Sequence, residues 1–277
     1  SSPMGLIETG PNAFLLTPEL LEILDDLKIT YFEIPPKTKK LIYRKSFKSF
    51  PLFLFEIPIV LKNLFKKVPL NALSIHDFFL PLLGETICNE VLDVMMQGIY
   101  SAPIRELDFS SIFPAPFDGE SYLRYLKRLK SKDKMISISF AKGNQEFIDS
   151  LRKYLSSHIV QEKKEKINLN VNTIIATNAH DAANLLSQNN LSHFNLDKIS
   201  YLPLFSTTVF THTPTPYLQK SFGCLFPEKN SPVKAKGVIN NGHLFPNRFH
   251  FPAQASYTFI SKQDDSLEND MNYLQII

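Results

Sequence analysis

The residues with the most chemistry to offer are cations set among apolar side chains. From Lys37 to Lys48, six basic residues are interleaved with Leu41, Ile42, Tyr43 and Phe47. The order K-K-L-I-Y-R-K-S-F-K reads as a hairpin with a basic side and an apolar side. Phe50 to Val68 follows, apolar, with Lys62, Lys66 and Lys67 toward its end. A greasy face beside lysines for anionic headgroups is the pattern of a membrane-surface segment. The same pattern fits a solvated basic edge beside ordinary core. A second stretch, Gln97 to Phe117, reads Q-G-I-Y-S-A-P-I-R-E-L-D-F-S-S-I-F-P-A-P-F. It loses helical period at Gly98 and ends in a proline-bounded aromatic turn at Phe113-Pro114. It predicts a helix-to-loop junction able to line a cavity.

Other reactive residues are scattered. His76, His158, His180, His193, His212, His243 and His250 form neither H-x-x-x-H nor H-E-x-x-H, so no metal site is expected. Cys88 and Cys224 stand far apart without C-x-x-C spacing, which excludes a cysteine zinc cluster and points to a reducing compartment. No G-x-S-x-G supports a hydrolase nucleophile. No G-x-G occurs, so no phosphate-binding glycine loop can be drawn. Carboxylate pairs such as Asp25-Asp26 read as exposed helix surface.

Composition narrows the class further. The 277 residues can bury a sizeable core, and 44% hydrophobic with 21% charged residues describes a folded chain. A net charge of +3 is too weak to argue for nucleic acid, and none is expected as a partner. With 23 Phe and no Trp, the core and any pocket walls should be rich in Phe. The start, S-S-P-M-G, lacks the pattern of a signal peptide. The longest greasy run, Phe50 to Leu61, falls short of the ~20 residues a spanning helix needs.

The elements that must position these residues follow from caps and periodicity. Thr17 caps a helix over Pro18 to Leu27, with Leu20, Ile23, Leu24 and Leu27 on one face. Pro35-Pro36 breaks the chain. Ser74 to Asp77 is a capping-box start, and Pro81 and Gly84 end or kink that helix. A second helix spans Glu85 to Met96, and a basic one Glu120 to Lys130. Met135 to Phe140 alternates as a strand. Asn144 caps a helix that buries Phe147, Ile148, Leu151 and Leu155. Gln161 to Lys166 is a solvated charge run, Val171 to Thr177 a buried strand and Ala179 to Leu186 a short helix. Ile199 to Thr213, Ser221 to Pro227 and Lys236 to Pro246 read as strands. The chain then turns irregular, and Lys262 to Asn272 is acidic and expected to fray. The residues by themselves give a mixed α and β protein with a basic, apolar middle section.

Several of these segments also resemble, in order, those of oxygen-dependent protoporphyrinogen oxidases, flavoproteins of the monoamine-oxidase superfamily. Gln97 to Phe117 resembles the family's G-V-Y-A-G-D-P-x-x-L-S-x-x-x-x-F-P segment. Glu8 to Leu15 resembles E-x-G-P-N-S-F-L, and Lys40 to Tyr43 resembles R-x-[IL]-Y. Phe78, Phe79, Leu83, Gly84 and Glu85 are similar to F-F-R-R-R-L-G-E. Ser139 to Gly143 is similar to S-F-K-G-G, and Thr173 to His180 to V-I-L-A-T-P-A-H. Phe222 to Pro227, and Gly237 with Leu244 to Pro246, resemble F-G-x-L-x-P and L-G-x-x-x-x-S-x-x-F-P.

The resemblance implies a partial two-lobed FAD-linked oxidoreductase fold, with interleaved FAD and substrate/membrane lobes. It divides the chain into a partial FAD-lobe segment (1–35), a helical substrate- or membrane-binding lobe (36–135), an FAD-lobe segment (136–190) and a substrate-lobe β segment (191–277). The implied cofactor is FAD, with Gly10, Pro11 and Asn12 near the flavin and Ala176 and Thr177 near its diphosphate side. The implied reaction is oxidation of protoporphyrinogen IX to protoporphyrin IX with O2, in haem synthesis. Lys40 matches an arginine proposed to meet a propionate. Gly98, Ser101 and Ala102 match a loop bordering the substrate, and Phe222, Leu225 and Phe226 would supply cavity wall. No side chain is assigned a catalytic role. The implied location is cytoplasmic, with the membrane surface as a partner; oligomeric state is left open, a homo-oligomer among the options. The family's G-x-G-x-x-G start and Gly-rich closing segment have no counterpart here, which predicts that a longer parent chain carries them. Lys40 in place of arginine, Asn144 in place of glycine and Asn178 in place of proline depart from the pattern. The competing reading is a catalytically inactive porphyrin- or membrane-binding relative without FAD.

Overall fold

Side-chain caps set the helix starts. Strand β1 (Phe14–Leu16) leads to α1 (Pro18–Leu27), where the Thr17 hydroxyl accepts from Leu20 N–H at 3.2 Å. The computed structural model describes residues 2–35, 38–130, 136–161, 167, 171–250 and 253–262. Strand β2 (Phe32–Glu33) precedes the basic hairpin, whose strands β3 (Lys39–Tyr43) and β4 (Phe47–Lys48) pair antiparallel as the sequence predicts. The apolar run after it forms α2 (Ile57–Asn63). Ser74 and Asp77 then close a reciprocal capping box on α3 (Ile75–Leu83).

The next helix is longer than its sequence suggests. It runs as α4 (Glu85–Ile87), a π turn (Cys88–Leu92) and α5 (Asp93–Tyr100). The expected break at Gly98 does not occur. Glycine lowers helix propensity by about 1 kcal/mol but does not end a helix that packing holds. The end falls at Ser101, which takes φ 58° and donates its N–H to Gln97 O at 2.9 Å. Short α6 (Phe109–Ile112) and basic α7 (Tyr122–Leu129) follow. Helix α7 buries Tyr122 and Tyr125 among Ile75, Phe78, Phe79 and Phe109, with the Phe78 and Phe109 rings stacked at 4.2 Å. The expected wealth of Phe is realised in this core.

Strand β5 (Ile136–Ser139) pairs with β1 and β2 in a three-stranded sheet ordered β1-β5-β2. Helix α8 (Gln145–Tyr154) comes next. Its Phe147 packs against Phe14 and Phe140, but Ile148 and Leu155, expected inside, are exposed. Asn144, expected as its cap, turns its amide nitrogen to Pro11 O and accepts from the Ser139 hydroxyl. Strand β6 (Leu204–Thr211), β7 (Ser221–Leu225), β8 (Gly237–Ile239), helix α10 (Asn241–Leu244) and β9 (Ala255–Lys262) complete the larger body. Its second sheet has six strands in the order β4-β3-β7-β8-β9-β6, antiparallel except for the β3–β7 pair. Lys236 to Pro246 is therefore a three-residue strand and a helical turn, because Asn240 caps α10 by accepting from His243 N–H. Strand β9 replaces the irregular tail expected before Lys262; the fraying expected beyond it falls outside the described residues.

Residues 151–203 form a separate unit, which contains α9 (Ala179–Gln188). Asn178 caps α9, and the Tyr201 hydroxyl accepts from Ala179 N–H at 2.7 Å. Val171 to Thr177 is not the expected buried strand: Ile174 is 92% exposed, and no strand among the described residues pairs with it. Apolar β-branched residues give strand propensity, but a strand exists only where a ladder receives its N–H and C=O groups. Most of the Gln161 to Lys166 run lies outside the described residues.

Candidate functional site

Strands β3, β7 and β8 of the larger sheet, with Lys48 of β4, Ile260 of β9 and the end of one helix, line a cavity of about 480 Å³. Strand β3 supplies Lys40, Leu41 and Ile42; β7 supplies Phe222 to Leu225; β8 supplies Gly237 to Ile239. Met95, Gln97, Gly98, Ile99 and Ser101 come from α5 and its cap, and Lys48, Ser49 and Pro51 from the hairpin end. The register puts Lys40 opposite Gly223, and Gly223 opposite Ile239. The volume lies within the roughly 300–1,000 Å³ common for small-molecule sites.

Two glycines allow the walls to meet. A Cβ on Gly98 would lie 2.5 Å from Leu225 Cδ2, so glycine lets α5 settle on β7 without displacing the Leu225 side chain. Gly223 has φ +154°, and a Cβ there would fall 1.9 Å from Val238 O on the adjacent strand. The lining is aliphatic, with Phe222 its one aromatic residue among those described, so the Phe-rich wall expected from composition is not found. The reason is allocation: Phe side chains pack instead in the helical core, around the three-stranded sheet as Phe14, Phe140 and Phe147, and as the Phe47–Phe226 pair.

Charge in the cavity is of one sign. Lys40, Lys48 and Lys236 line it, and no Asp or Glu does among the described residues. The Lys40 ammonium lies 5.9 Å from the Phe222 ring centre, within cation–π range. Lys236 is only 6% exposed. Its Nζ donates to Gln97 Oε1 at 2.6 Å and lies 3.6 Å from Glu228 Oε1. Gln97 is held for that contact, since its Nε2 donates to Asp93 Oδ2 at 2.7 Å while Asp93 Oδ1 accepts from Ile104 N–H at 2.8 Å. Burial first, then the nearby Lys262 ammonium, push the Lys236 ammonium below the ordinary lysine value, against the pull of Glu228. Such a group attracts an anion because removing its charge from water is incompletely repaid.

Of the substrate-side residues singled out in the sequence, Lys40, Gly98, Ser101, Phe222 and Leu225 line this one cavity. Ala102 and Phe226 do not; Phe226 is buried against Tyr43 and Phe47, with ring centres at 6.1 and 6.4 Å. Sequence reasoning missed Lys48, Gln97 as a polar contact, and Lys236. The available signal for Lys236 was a lysine set between Ala235 and Gly237 ahead of Val238 and Ile239, a cation in an otherwise apolar strand edge.

The cofactor-side residues lie elsewhere. Gly10 is exposed, and nothing stands within 4 Å of where its Cβ would be. The segment is pinned from behind: Pro11 O accepts from the Asn144 amide, and Asn12 O from the Ser139 hydroxyl at 2.8 Å. Arg248 reinforces it from beneath, meeting Glu8 at 3.1 Å, the Ser139 hydroxyl at 2.7 Å and Phe140 O at 2.6 Å. Ala176 and Thr177 belong to the separate unit, exposed ahead of α9.

No protein-family model matches the chain, and no curated protein does. Solved structures do. One, from Exiguobacterium sp. 255-15, is of a protein assigned as a protoporphyrinogen oxidase; it superposes with a TM-score of 0.70 at 12% identity, over 99% of this chain and 71% of that one. A reduced UDP-galactopyranose mutase matches with a TM-score of 0.61 at 13% identity, over 93% of this chain and 64% of that one. A Pyrococcus furiosus protein matches with a TM-score of 0.57 at 12% identity, over 93% and 68%. Likeness at such identity establishes the fold alone, a mixed α/β architecture shared with these structures.

Proposed function

We propose that the chain is the substrate-side part of a protoporphyrinogen-oxidase-like flavoprotein, whose cavity takes protoporphyrinogen IX and whose electrons pass to O2. One observation carries this reading: an aliphatic cavity with three lysines and no carboxylate in its lining suits an apolar ring system bearing carboxylates. The residues present fit only part of FAD. Gly10 offers open space beside a pinned backbone, which suits a flat ring, whereas the 277 residues contain no G-x-G to cradle a diphosphate. When bound, the flavin would accept the substrate's electrons. The chain's own residues bind the ring, orient it and exclude water.

Two measurements test the proposal. A visible spectrum of the purified chain, taken after FAD is added and the sample desalted, tests the cofactor: retained flavin bands support it, and their loss rejects FAD binding by this chain alone. Protoporphyrin IX, the oxidised ring, should bind with its fluorescence altered, and Lys40→Ala should weaken that binding about tenfold, as loss of one charge-assisted contact does. The same substitution should leave flavin retention unchanged. Unaltered porphyrin affinity in the variant would remove Lys40 from the site.

A second reading, a porphyrin- or membrane-binding relative without catalysis, draws on the surface around α2. Leu54 is 86% exposed, Phe65 78% and Leu73 80%, near Lys62, Lys66 and Lys67 in the chain. Among the described residues no helix is long and apolar enough to cross a membrane. This face suits shallow insertion between anionic headgroups instead. Flotation with phosphatidylserine-containing vesicles is expected for the wild type, and a large loss for the pair Leu54→Ser and Phe65→Ser. Equal flotation by the double variant would discard the surface. Flotation without flavin retention would favour the non-catalytic relative.

A further inference from the structure

We infer that Lys236 is a second anion anchor of the cavity, placed across the floor from Lys40 and taking a separate carboxylate of the bound ligand. The inference deepens the proposed function and rests on it for the choice of ligand, but its physical grounds are independent of any porphyrin. Lys236 is nearly buried and lines the cavity. Among the described residues, its one contact under 3 Å is to a neutral amide, the Gln97 oxygen at 2.6 Å. The nearest carboxylate, Glu228, is 3.6 Å away and is itself held at 2.8 Å by Lys262. The cation is thus hydrogen-bonded but shares its nearest carboxylate with Lys262, in a nearly buried setting.

The sheet fixes where the two anchors stand. Lys40 shares its row with Gly223 and Ile239, and Lys236 precedes Ile239 by three residues on β8's side. Three residues of extended chain are about 10 Å, and two strand spacings are about 9.6 Å. The backbones are therefore far apart, and two flexible lysine stems reach inward over an aliphatic floor. Two carboxylates on separate arms can each meet one of these ammonium groups while the body between them covers the floor. The arrangement fits a rigid apolar body that carries two carboxylates on separate arms. Gln97, fixed by Asp93, holds the Lys236 ammonium in place.

The test compares protoporphyrin IX, its dimethyl ester and laurate by equilibrium titration of the whole chain. Lys236→Met, close in length and uncharged, is expected to raise the Kd for the free diacid about tenfold, the loss of one charge-assisted hydrogen bond. The dimethyl ester should bind both proteins alike, and Lys236→Arg should keep the diacid within about threefold of wild type. Should Lys236→Met fail to fold, Gln97→Glu sets a carboxylate against Nζ and should produce the same selective loss. A diacid affinity unchanged in a folded Lys236→Met or Gln97→Glu variant overturns the anchor. Preference of the wild type for the ester overturns the anchor and the proposed function together. Laurate binding that depends on Lys236, with no porphyrin bound, keeps the anchor and rejects the porphyrin.

Discussion

Gly223→Ala is expected to lower the free energy of unfolding by about 4 kcal/mol, combining ~1–3 kcal/mol of backbone strain with ~1–3 kcal/mol of overpacking. The new methyl would sit 1.9 Å from Val238 O, with φ at +154°. Its neighbour is backbone within a hydrogen-bonded ladder, so no rotamer change relieves the clash. Strand β7 lies between β3 and β8, so displacing it disturbs the pairs on both sides. A domain of ordinary stability holds only about 5–15 kcal/mol in all. Urea unfolding followed by far-UV circular dichroism measures the loss. An alanine variant within about 1 kcal/mol of wild type would show that the β7–β8 approach is looser than described. Gly98→Ala should be gentler, because its neighbour is the mobile end of Leu225, which can swing into the cavity at some expense of ligand space.

Arg44→Leu should cost a similar amount, about 3–5 kcal/mol, through a different cause. The Arg44 guanidinium donates to both Glu56 oxygens, at 2.8 and 2.9 Å, to Glu90 and to Pro51 O, and it faces the Phe53 ring at 4.2 Å. Glu56 also accepts from Phe53 N–H at 2.7 Å. Removing the arginine strands a buried carboxylate. Arg44→Met combined with Glu56→Leu should recover a large part of the loss, since the stranded charge goes with it. The pair also shapes acid stability. The hydrogen bond from Arg44 holds the Glu56 carboxyl below the ordinary glutamate value despite its burial. A depressed carboxyl stabilises the fold fully above the unfolded-state value, and that contribution fades as pH falls through the folded value. Wild type should therefore lose stability on acidification more steeply than the double variant over that window. Parallel acid limbs in the two proteins would refute the assignment.

What could be read from the chain beforehand depended on how local the signal was. Thr17 with Pro18, Ser74 with Asp77, and the K-K-L-I-Y-R-K-S-F-K hairpin announce themselves within a few residues, and each forms as expected. Strand β9 did carry a local signal, the apolar–polar alternation of A-S-Y-T-F, but the alternation understates its burial, since Ser256 and Thr258 are buried as fully as Tyr257 and Phe259. Val171 to Thr177 shows the reverse: strand composition without a partner to pair with among the described residues. The cavity was half legible. Lys40, Gly98, Ser101, Phe222 and Leu225 were singled out by resemblance, and they converge because the parallel β3–β7 pair joins segments about 180 residues apart in sequence. Lys236 and Gln97 were illegible as a pair for the same reason, since their contact spans 139 positions.

The π turn at Cys88–Leu92 bears on all of this through simple arithmetic. A π turn holds one residue more than the α turn it replaces, and each residue advances a helix by about 100°. Everything from Asp93 to Tyr100 is thus rotated by that angle relative to an uninterrupted helix. Gln97 and Gly98 face the sheet because of it. Deleting a single residue within Cys88–Leu92 would leave a smoother and intrinsically stronger helix, yet present the wrong side of it to Leu225 and Lys236. The cavity therefore depends on a count of residues two turns upstream, and its integrity is more sensitive to a one-residue gap there than to many substitutions in its own walls.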